Sequence, residues 1–487
     1  MPTDLTTRGI EDINTFAPML KLLQGNILKG HGREHTVNIF IELKPVTKAT
    51  RTKLIKLLGS LVPSAWIQAE ETAQFKRFGV PGGMFANFFL TAKGYRALGF
   101  TAAQIDQGFV ERPDEIGEAK ATFKDGMSAH HAEFADPAPE TWDEGFNAGR
   151  IDAMLLLADD DVGFLLRRSR EIIRELDTVA TVLTVERGDA LRNDDGEGIE
   201  HFGYVDGRSQ PIYFKDDLKD EGSTNTWNPI EPLSRVLVTD PFGKDADAFG
   251  SYYVFRKLEQ NVLEFKMREQ QLAKELGLKG ADKERAGAMA VGRFEDGTAL
   301  VQSQTDGFRP EKDNNFDYAG DPEGLKCPFH AHIRKTNPRG DIVRKLVPGG
   351  SEEDLERSRR ITRRGITYGQ RKSHPSSVPD LNLLPTEGVG LLFQCFQESI
   401  ARQFAFMQKA WVNAPGFVLP GTGPDPVIGQ AEPGGAPVPQ QWRKEWGPLP
   451  DGSADVQRPF SFGEFVKMRG GEFFFAPSMA FLKALAP

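Results

Sequence analysis

The residues best placed to do chemistry are His330 and His332, two of eight histidines in the chain, within CPFHAHIRKTNPR at 327–339. Pro328 and Pro338 bracket them and leave room for only a short element. In a helix the two rings would point about 200° apart, so only one would face a given pocket. In an extended segment both would lie on one face and could share a metal ion. The spacing leaves both arrangements open.

The cations that follow these histidines bear on their protonation. Arg334, Lys335 and Arg339 belong to the same segment. Nearby positive charge favours the neutral imidazole, which is the commonest metal ligand in proteins. The alternative, a hydrogen-bonded structural histidine, stays open. The residue types indicate a metal site without naming the metal.

A carboxylate between two glycines is a second candidate. Asp206 belongs to the sequence GYVDG at 203–207. Flanking glycines allow a turn that aims the carboxylate into a cavity. The alternative is an ordinary Asp-Gly turn with a solvated carboxylate. This short pattern alone has low specificity.

Five arginines crowd the sequence RSRRITRRGITYG at 357–369. Such a cluster suggests a nucleic-acid surface. The cluster is short, however, and no aromatic stacking platform is interleaved with it. A solvated or anion-pairing surface is the default interpretation. One buried arginine could instead stabilise developing negative charge in a reaction.

The chain lacks the patterns of several common enzyme classes. It has no GxSxG elbow, no GxGxxG or P-loop after a strand, and no CxxC or HExxH for zinc. The net charge of −9 argues against broad nucleic-acid or anionic-membrane binding. Only two cysteines, no leader-like N-terminus and no run of about 18 apolar residues predict a cytoplasmic protein without a membrane span.

The elements that must position these residues follow a repeated β-α-β-β-α-β pattern, read from apolar periodicity. That order is typical of an antiparallel sheet with helices packed on one face. The first run has strands at 37–43, 86–90, 154–157 and 179–186, with helices at 46–60 and 160–176. The second has strands at 252–256 and 388–396 and helices at 257–277 and 397–411, with 473–477 predicted as a loop against the core.

A chain of 487 residues exceeds one core, so two domains are expected. We predict an α+β fold with an N-terminal domain at 1–214, which contributes Asp206, and a C-terminal domain at 235–487. Residues 215–234, rich in Asp, Asn, Pro and Gly, are predicted to link them. The 35 Phe against 7 Tyr and 6 Trp are interpreted as core filling.

Three motifs in this order, GYVDG at 203–207, CPFHAHIRKTNPR at 327–339 and RRGITYG at 363–369, resemble the dye-decolorizing peroxidase family, especially its larger members. Supporting similarity covers nearly the whole chain, in LQGNILKGHGR at 23–33, FRKLEQNV at 255–262, GLLFQCFQ at 390–397, DPVIGQ at 425–430 and MRGGEFFFAPS at 468–478. The resemblance implies two ferredoxin-like α+β halves, with one haem b per chain in the C-terminal half.

The resemblance also implies roles for individual residues. His332 matches the proximal haem ligand, whereas His330 falls where relatives carry a small residue. Asp206 and Arg363 match the distal acid–base residue and the distal arginine. The remaining positions expected at the cofactor are the wall residues Leu391 and Phe393, the cation Arg334, and Asp425 as hydrogen-bond acceptor for the proximal ring, with Glu398 and Gln403 as fallbacks. Thr367 departs from the family, which commonly has proline there.

The implied function is a haem peroxidase that reduces hydrogen peroxide and oxidises bulky dyes or phenolics by single-electron steps through an oxoferryl intermediate. A pocket closed by Leu391 and Phe393 would admit peroxide and exclude dyes, so surface tyrosines or tryptophans would relay electrons. An aspartate acid–base residue titrates near about 4, which favours acidic pH. The alternatives are a haem-handling protein with incidental peroxidase activity and a nucleic-acid binder. The resemblance leaves a homo-oligomer open.

Overall fold

The computed structural model describes residues 3–221, 227, 229–307, 314–376, 380–431, 438–450, 453 and 456–487, without the side chains of 219–221. Its strands are β1 His35–Leu43, β2 Phe85–Leu90, β3 Ala153–Asp159, β4 Ala180–Asp189, β5 Leu191–Arg192, β6 Gly198–Ile199, β7 Val238–Thr239, β8 Phe249–Gln260, β9 Thr362–Arg363, β10 Ile366–Tyr368, β11 Gly390–Gln397, β12 Gln440–Trp442, β13 Arg458–Phe460 and β14 Val466–Ala476.

The helices lie between these strands. They are α1 Ala17–Leu22, α2 Lys48–Leu61, α3 Ala65–Phe78, α4 Ala92–Ala97, α5 Ala102–Gly108, α6 Val162–Leu176, α7 Val262–Leu276, α8 Glu284–Val291, α9 His332–Thr336, α10 Asp341–Lys345, α11 Glu352–Leu355 and α12 Met479–Leu482. Two π-helical stretches, Ile400–Ala405 and Met407–Asn413, follow β11. Among the described residues, no helix has the length and apolarity to cross a membrane.

A ten-stranded antiparallel sheet runs through the molecule. Eight of its strands lie in the order β10-β11-β8-β14-β2-β3-β1-β4, while β7 pairs with β8 and β9 pairs with β11 off this path. Each half of that order has the same internal arrangement. Numbered by position along the chain, the strands of each group lie in the order second, third, first, fourth. This is the order of a ferredoxin-like βαββαβ unit, so the structure agrees with the predicted α+β class. The two groups meet where β14 pairs with β2, through Phe475 and Leu90.

Aromatic side chains fill the core across the junction between the two strand groups. Phe89 on β2 stacks on Tyr253 of β8, with ring centroids 4.1 Å apart. Phe40 on β1 meets Phe255 of β8 edge to face at 4.8 Å. All four rings are fully buried. The abundant phenylalanines in these strands are therefore core residues, as predicted.

Two predicted elements differ from the structure. Residues 473–477 were expected to form a loop, yet 473–476 belong to β14, a central strand of the sheet. Because β14 is covered on both faces, its FFF run lacks the polar alternation that marks a half-exposed strand. The helix expected from 257 begins at Val262, since β8 continues to Gln260 and Asn261 caps the helix through Glu264 N.

The described part of 215–234 packs against its surroundings. Trp227 and Leu233 are buried, and Glu231 is fully buried between arginine side chains. Ile212 and Ile230 form an isolated parallel bridge. The boundaries at 214 and 235 remain a prediction.

Candidate functional site

A cavity lies where the GYVDG loop, α9, β11 and the π-helical stretches converge. The volume of this cavity is about 230 Å³. Five of the predicted site residues line this cavity: Asp206, His332, Arg363, Leu391 and Phe393. They come from four separate segments of the chain, so the fold assembles one site from motifs far apart in sequence.

His332 begins α9 directly after Ala331, the N-cap residue. Its Nδ1 lies 2.8 Å from Oδ2 of Asp425, which leaves Nε2 as the nitrogen available to a ligand. Burial lowers the pKa of His332, but the Asp425 carboxylate raises it more strongly, and the net value lies above the usual one. The nearest charged partner of His332 is this carboxylate rather than a cation of its own segment, so the effect expected from Arg334, Lys335 and Arg339 does not dominate at this ring.

Asp425 is fully buried at the end of a long loop. Its Oδ1 accepts hydrogen bonds from the backbone N–H groups of Val427 and Ile428, at 2.7 and 3.0 Å. Burial raises the pKa of Asp425, whereas the His332 ring and these N–H donors lower it, and the net value lies below the usual range. The Asp425 side chain is therefore ionised and can accept the Nδ1–H of His332.

Asp206 and Arg363 form an ion pair at the cavity, with Oδ1 and Nη1 3.0 Å apart. Gly203 and Gly207 both have positive φ, +101° and +83°, and so permit the turn around the carboxylate. Arg363 belongs to β9, where it pairs with Cys395 of β11. Burial raises the pKa of Asp206, but Arg363 and the Gly207 N–H lower it to a net value below its usual range.

Leu391 and Phe393 stand two positions apart on β11, so both side chains point to the same face of the sheet. Both line the cavity. Phe404, Met407, Gln408 and Val412 from the π-helical stretches extend this lining. An imidazole and a carboxylate–guanidinium pair in one largely apolar pocket suit a flat cofactor that takes one axial nitrogen ligand.

No protein-family model matches the sequence. Curated relatives match strongly. The chain is 43% identical to multifunctional dye peroxidase DyP2 of an Amycolatopsis species over the whole of both chains. It is 31% identical to dye-decolorizing peroxidase msp1 of Mycetinis scorodonius, covering 82% of this chain and 76% of that one. The chain belongs to the dye-decolorizing peroxidase family.

Solved structures of dye-decolorizing peroxidases agree with this assignment. The DyP-type peroxidase AnaPX from an Anabaena species is 40% identical with a TM-score of 0.88, covering 99% of both chains. DyP2 from Amycolatopsis aligns with a TM-score of 0.87 at 40% identity, covering 99% of this chain and all of that one. The protein is thus a haem peroxidase with the α+β fold of this family.

Two residues considered for the cofactor site of this peroxidase, the other histidine of the motif and the cation Arg334, do not line the cavity. His330 is buried with its ring 4.3 Å from that of Trp442, and burial lowers its pKa to about 3. Arg334 is fully buried, and its guanidinium donates to Asp321 and Asp341 and to the Cys327 carbonyl. We therefore do not assign Arg334 to the cofactor; it ties together the segment that carries His332.

The two fallback acceptors are also engaged elsewhere. Glu398 accepts from Arg402 at 3.2 Å. The Oε1 atom of Gln403 accepts from the backbone N–H groups of Glu398 and Ser399. The geometry of the described residues accordingly favours Asp425 as the partner of His332.

Several cations that line the cavity were missed by the sequence reasoning: Arg208, Arg293, Arg339 and Arg360. Arg339 is 4% exposed, and burial lowers its pKa to about 9. Haem carries two carboxylates on an otherwise apolar ring, so buried guanidinium groups beside an apolar wall fit such a cofactor. Arg339 could have been found from the sequence, because it is the last residue of the CPFHAHIRKTNPR motif.

Three of the five arginines in the cluster at 357–369 are buried. Arg357 and Arg360 both pair with the buried carboxylate of Glu231. Arg359 pairs with Asp114 at 3.0 Å. These three residues are at most 9% exposed, so they present little charge to solvent.

Proposed function

We propose that this peroxidase binds one haem b in the described cavity, with His332 as the axial ligand and Asp425 as the acceptor of its Nδ1–H. The observation that carries the proposal is the Nδ1–Oδ2 distance of 2.8 Å behind a cavity-lining ring. An imidazole that donates to a carboxylate is a stronger electron donor to a metal. Arg339 and the other arginines that line the cavity would place positive charge near the haem carboxylates.

Haem, when bound, supplies the iron at which peroxide is reduced. Asp206 and Arg363, which line the same cavity as His332, would transfer a proton and stabilise negative charge. Asp206, ionised beside Arg363, would accept a proton from one oxygen of hydrogen peroxide and return it to the other, so that water can leave as the O–O bond breaks. Arg363 stabilises the negative charge that develops as the O–O bond breaks. Leu391 and Phe393 keep that region small and apolar.

The donors of this peroxidase are proposed to be bulky dyes and phenolics. The names of its relatives refer to dyes, and a related solved structure is a complex with 2,6-dimethoxyphenol. The competing role of haem handling with incidental turnover is not favoured. The carboxylate–guanidinium pair at the cavity supplies the groups that O–O cleavage requires.

The assignment of the axial ligand is tested by replacing each histidine of the motif. His332→Ala is expected to lose haem or to show an altered Soret band, because no other described histidine lines the cavity. His330→Ala is the matched control and should retain a histidine-ligated spectrum, since its ring packs on Trp442. An unchanged Soret band in His332→Ala would reject the assignment.

A further inference from the structure

Two side chains of the 330–335 segment reach one loop, residues 414–425, which we name the proximal loop. His332 contacts Asp425 as described. Lys335 donates from Nζ to the carbonyl oxygens of Ala414 and Gly423, at 2.7 and 2.8 Å. Each contact joins α9 to the loop that carries Asp425.

Lys335 is a costly residue to place here. Its side chain is fully buried, and among the described residues its ammonium group donates to carbonyl oxygens and forms no ion pair with a carboxylate. Burial lowers its pKa to about 7. A buried ammonium group destabilises a protein unless hydrogen bonds replace its lost water. Two carbonyl acceptors and the Phe417 ring, 5.4 Å from Nζ, provide that replacement.

The carbonyls that Lys335 binds lie at the neck of the proximal loop. The Gly423 N–H donates to the Pro415 carbonyl at 2.8 Å, next to Ala414. The Asp425 N–H donates to the Val412 carbonyl at 2.9 Å. These bonds hold the two chain segments of the neck side by side, and Lys335 bridges both. Fixing the neck fixes the carboxylate two residues beyond Gly423.

We propose that Lys335 is a positioning residue for the axial histidine: it clamps the neck of the proximal loop to α9 and so holds Asp425 Oδ2 against His332 Nδ1. The proposal rests on the function proposed above, in which His332 is the haem ligand. Loosening the clamp weakens the Nδ1–H hydrogen bond and makes the ring a weaker electron donor to iron.

The test measures the Fe(III)/Fe(II) midpoint potential of the holoenzyme in Asp425→Asn, Lys335→Met and the double variant. Asp425→Asn is expected to raise the potential. Lys335→Met should raise it in the same direction by a smaller amount. The double variant should match Asp425→Asn alone, because both changes act through one hydrogen bond. Lys345→Met is the matched control. It removes a lysine of α10 that pairs with Glu323, and it should leave the potential unchanged.

Amide hydrogen exchange of the same proteins gives an independent readout. The N–H groups of Gly423 and Asp425 should exchange about tenfold faster or more in Lys335→Met, the change expected when a charged hydrogen bond is lost. Lys345→Met should not change them. If Lys335→Met fails to fold, Lys335→Gln, which keeps a donor on a shorter side chain, is measured in the same way and should show smaller shifts of the same sign.

The outcomes separate this inference from the proposed function. If Asp425→Asn leaves the potential unchanged, the His332–Asp425 role itself is wrong. If Asp425→Asn shifts the potential and Lys335→Met does not, only the role of Lys335 is wrong. Additive shifts in the double variant would likewise reject action through Asp425.

Discussion

The ion pair of Asp206 and Arg363 decides the protonation of the proposed acid–base residue. Their 3.0 Å contact lies at the cavity, where each group is only partly shielded from water. Burial raises the pKa of Asp206, but Arg363, the Gly207 N–H and His332 together hold it below its usual range. The carboxylate therefore stays ionised, and able to accept a proton, into more acidic solution than an ordinary aspartate. Acidic pH optima follow from this pair.

Arg363→Leu tests that dependence. Without the guanidinium, burial dominates and raises the pKa of Asp206, so the acidic limb of the peroxide reaction should move to higher pH. The rate on the plateau should fall by about 10²–10³, the usual effect of losing one charge-stabilising donor. Stopped-flow measurement of the peroxide reaction from acid to neutral pH gives both values.

Arg187→Leu is the control, since Arg187 forms an exposed pair with Asp189 on β4. Its pH profile should match that of the unmodified protein. An acidic limb at the same pH in Arg363→Leu would show that Arg363 does not control Asp206.

The short elements around the site depend on buried carboxylates at their ends. Glu356 accepts hydrogen bonds from the N–H groups of Gly340 and Val343, at 2.5 and 3.2 Å, at the start of α10. It is 4% exposed, and burial raises its pKa from 4.5 to about 7. The folded protein thus holds this proton more tightly than the unfolded chain does.

The pH dependence of stability follows with a definite sign. A raised folded pKa contributes stability that is fully present below about 4.5 and is lost as pH rises through about 7. The unmodified protein should therefore lose up to about 3 kcal/mol relative to Glu356→Gln between pH 4.5 and 8. Thermal unfolding of both proteins across this range measures the difference. A difference independent of pH would contradict the assignment.

At the level of elements, periodicity located most strands and helices but not their ends or their neighbours. The β8 strand was predicted from 252 to 256, and its extension to Gln260 moved the start of α7. The strand β14 was missed because full burial on both faces removes the alternation that identifies strands. Its pairing with β2 and β8 depends on residues hundreds of positions away.

At the scale of the whole molecule, the ten-stranded sheet joins two ferredoxin-like groups that share a core. Phe89 on β2 contacts Tyr253, Phe396 and Phe474, which belong to β8, β11 and β14 of the other group. Such contacts bind the two groups into one cooperative unit. We expect a single unfolding transition for the haem-loaded protein.

Phe89→Ala tests this cooperativity. Removing a fully buried ring should destabilise the protein by about 3–5 kcal/mol and lower the temperature of the single transition. Phe75→Ala, on α3 and 56% exposed, is the control and should change stability by less than about 0.5 kcal/mol. Two separate transitions by calorimetry, only one of them shifted, would show that the groups unfold independently.

The amino-acid sequence sufficed for the fold class, the family and the three motifs, because these depend on local patterns and on short motif strings of residues. It also pointed to Asp206, His332 and Arg363, and the family resemblance named Asp425 as the acceptor for His332. The contact geometry lay beyond it: His332 and Asp425 are 93 positions apart, and the ion pair of Asp206 and Arg363, which are 157 apart, was not predicted. The same limit hid the burial of Arg334 and of Arg357, Arg359 and Arg360, since a charged side chain is buried only where folding brings its carboxylate partner.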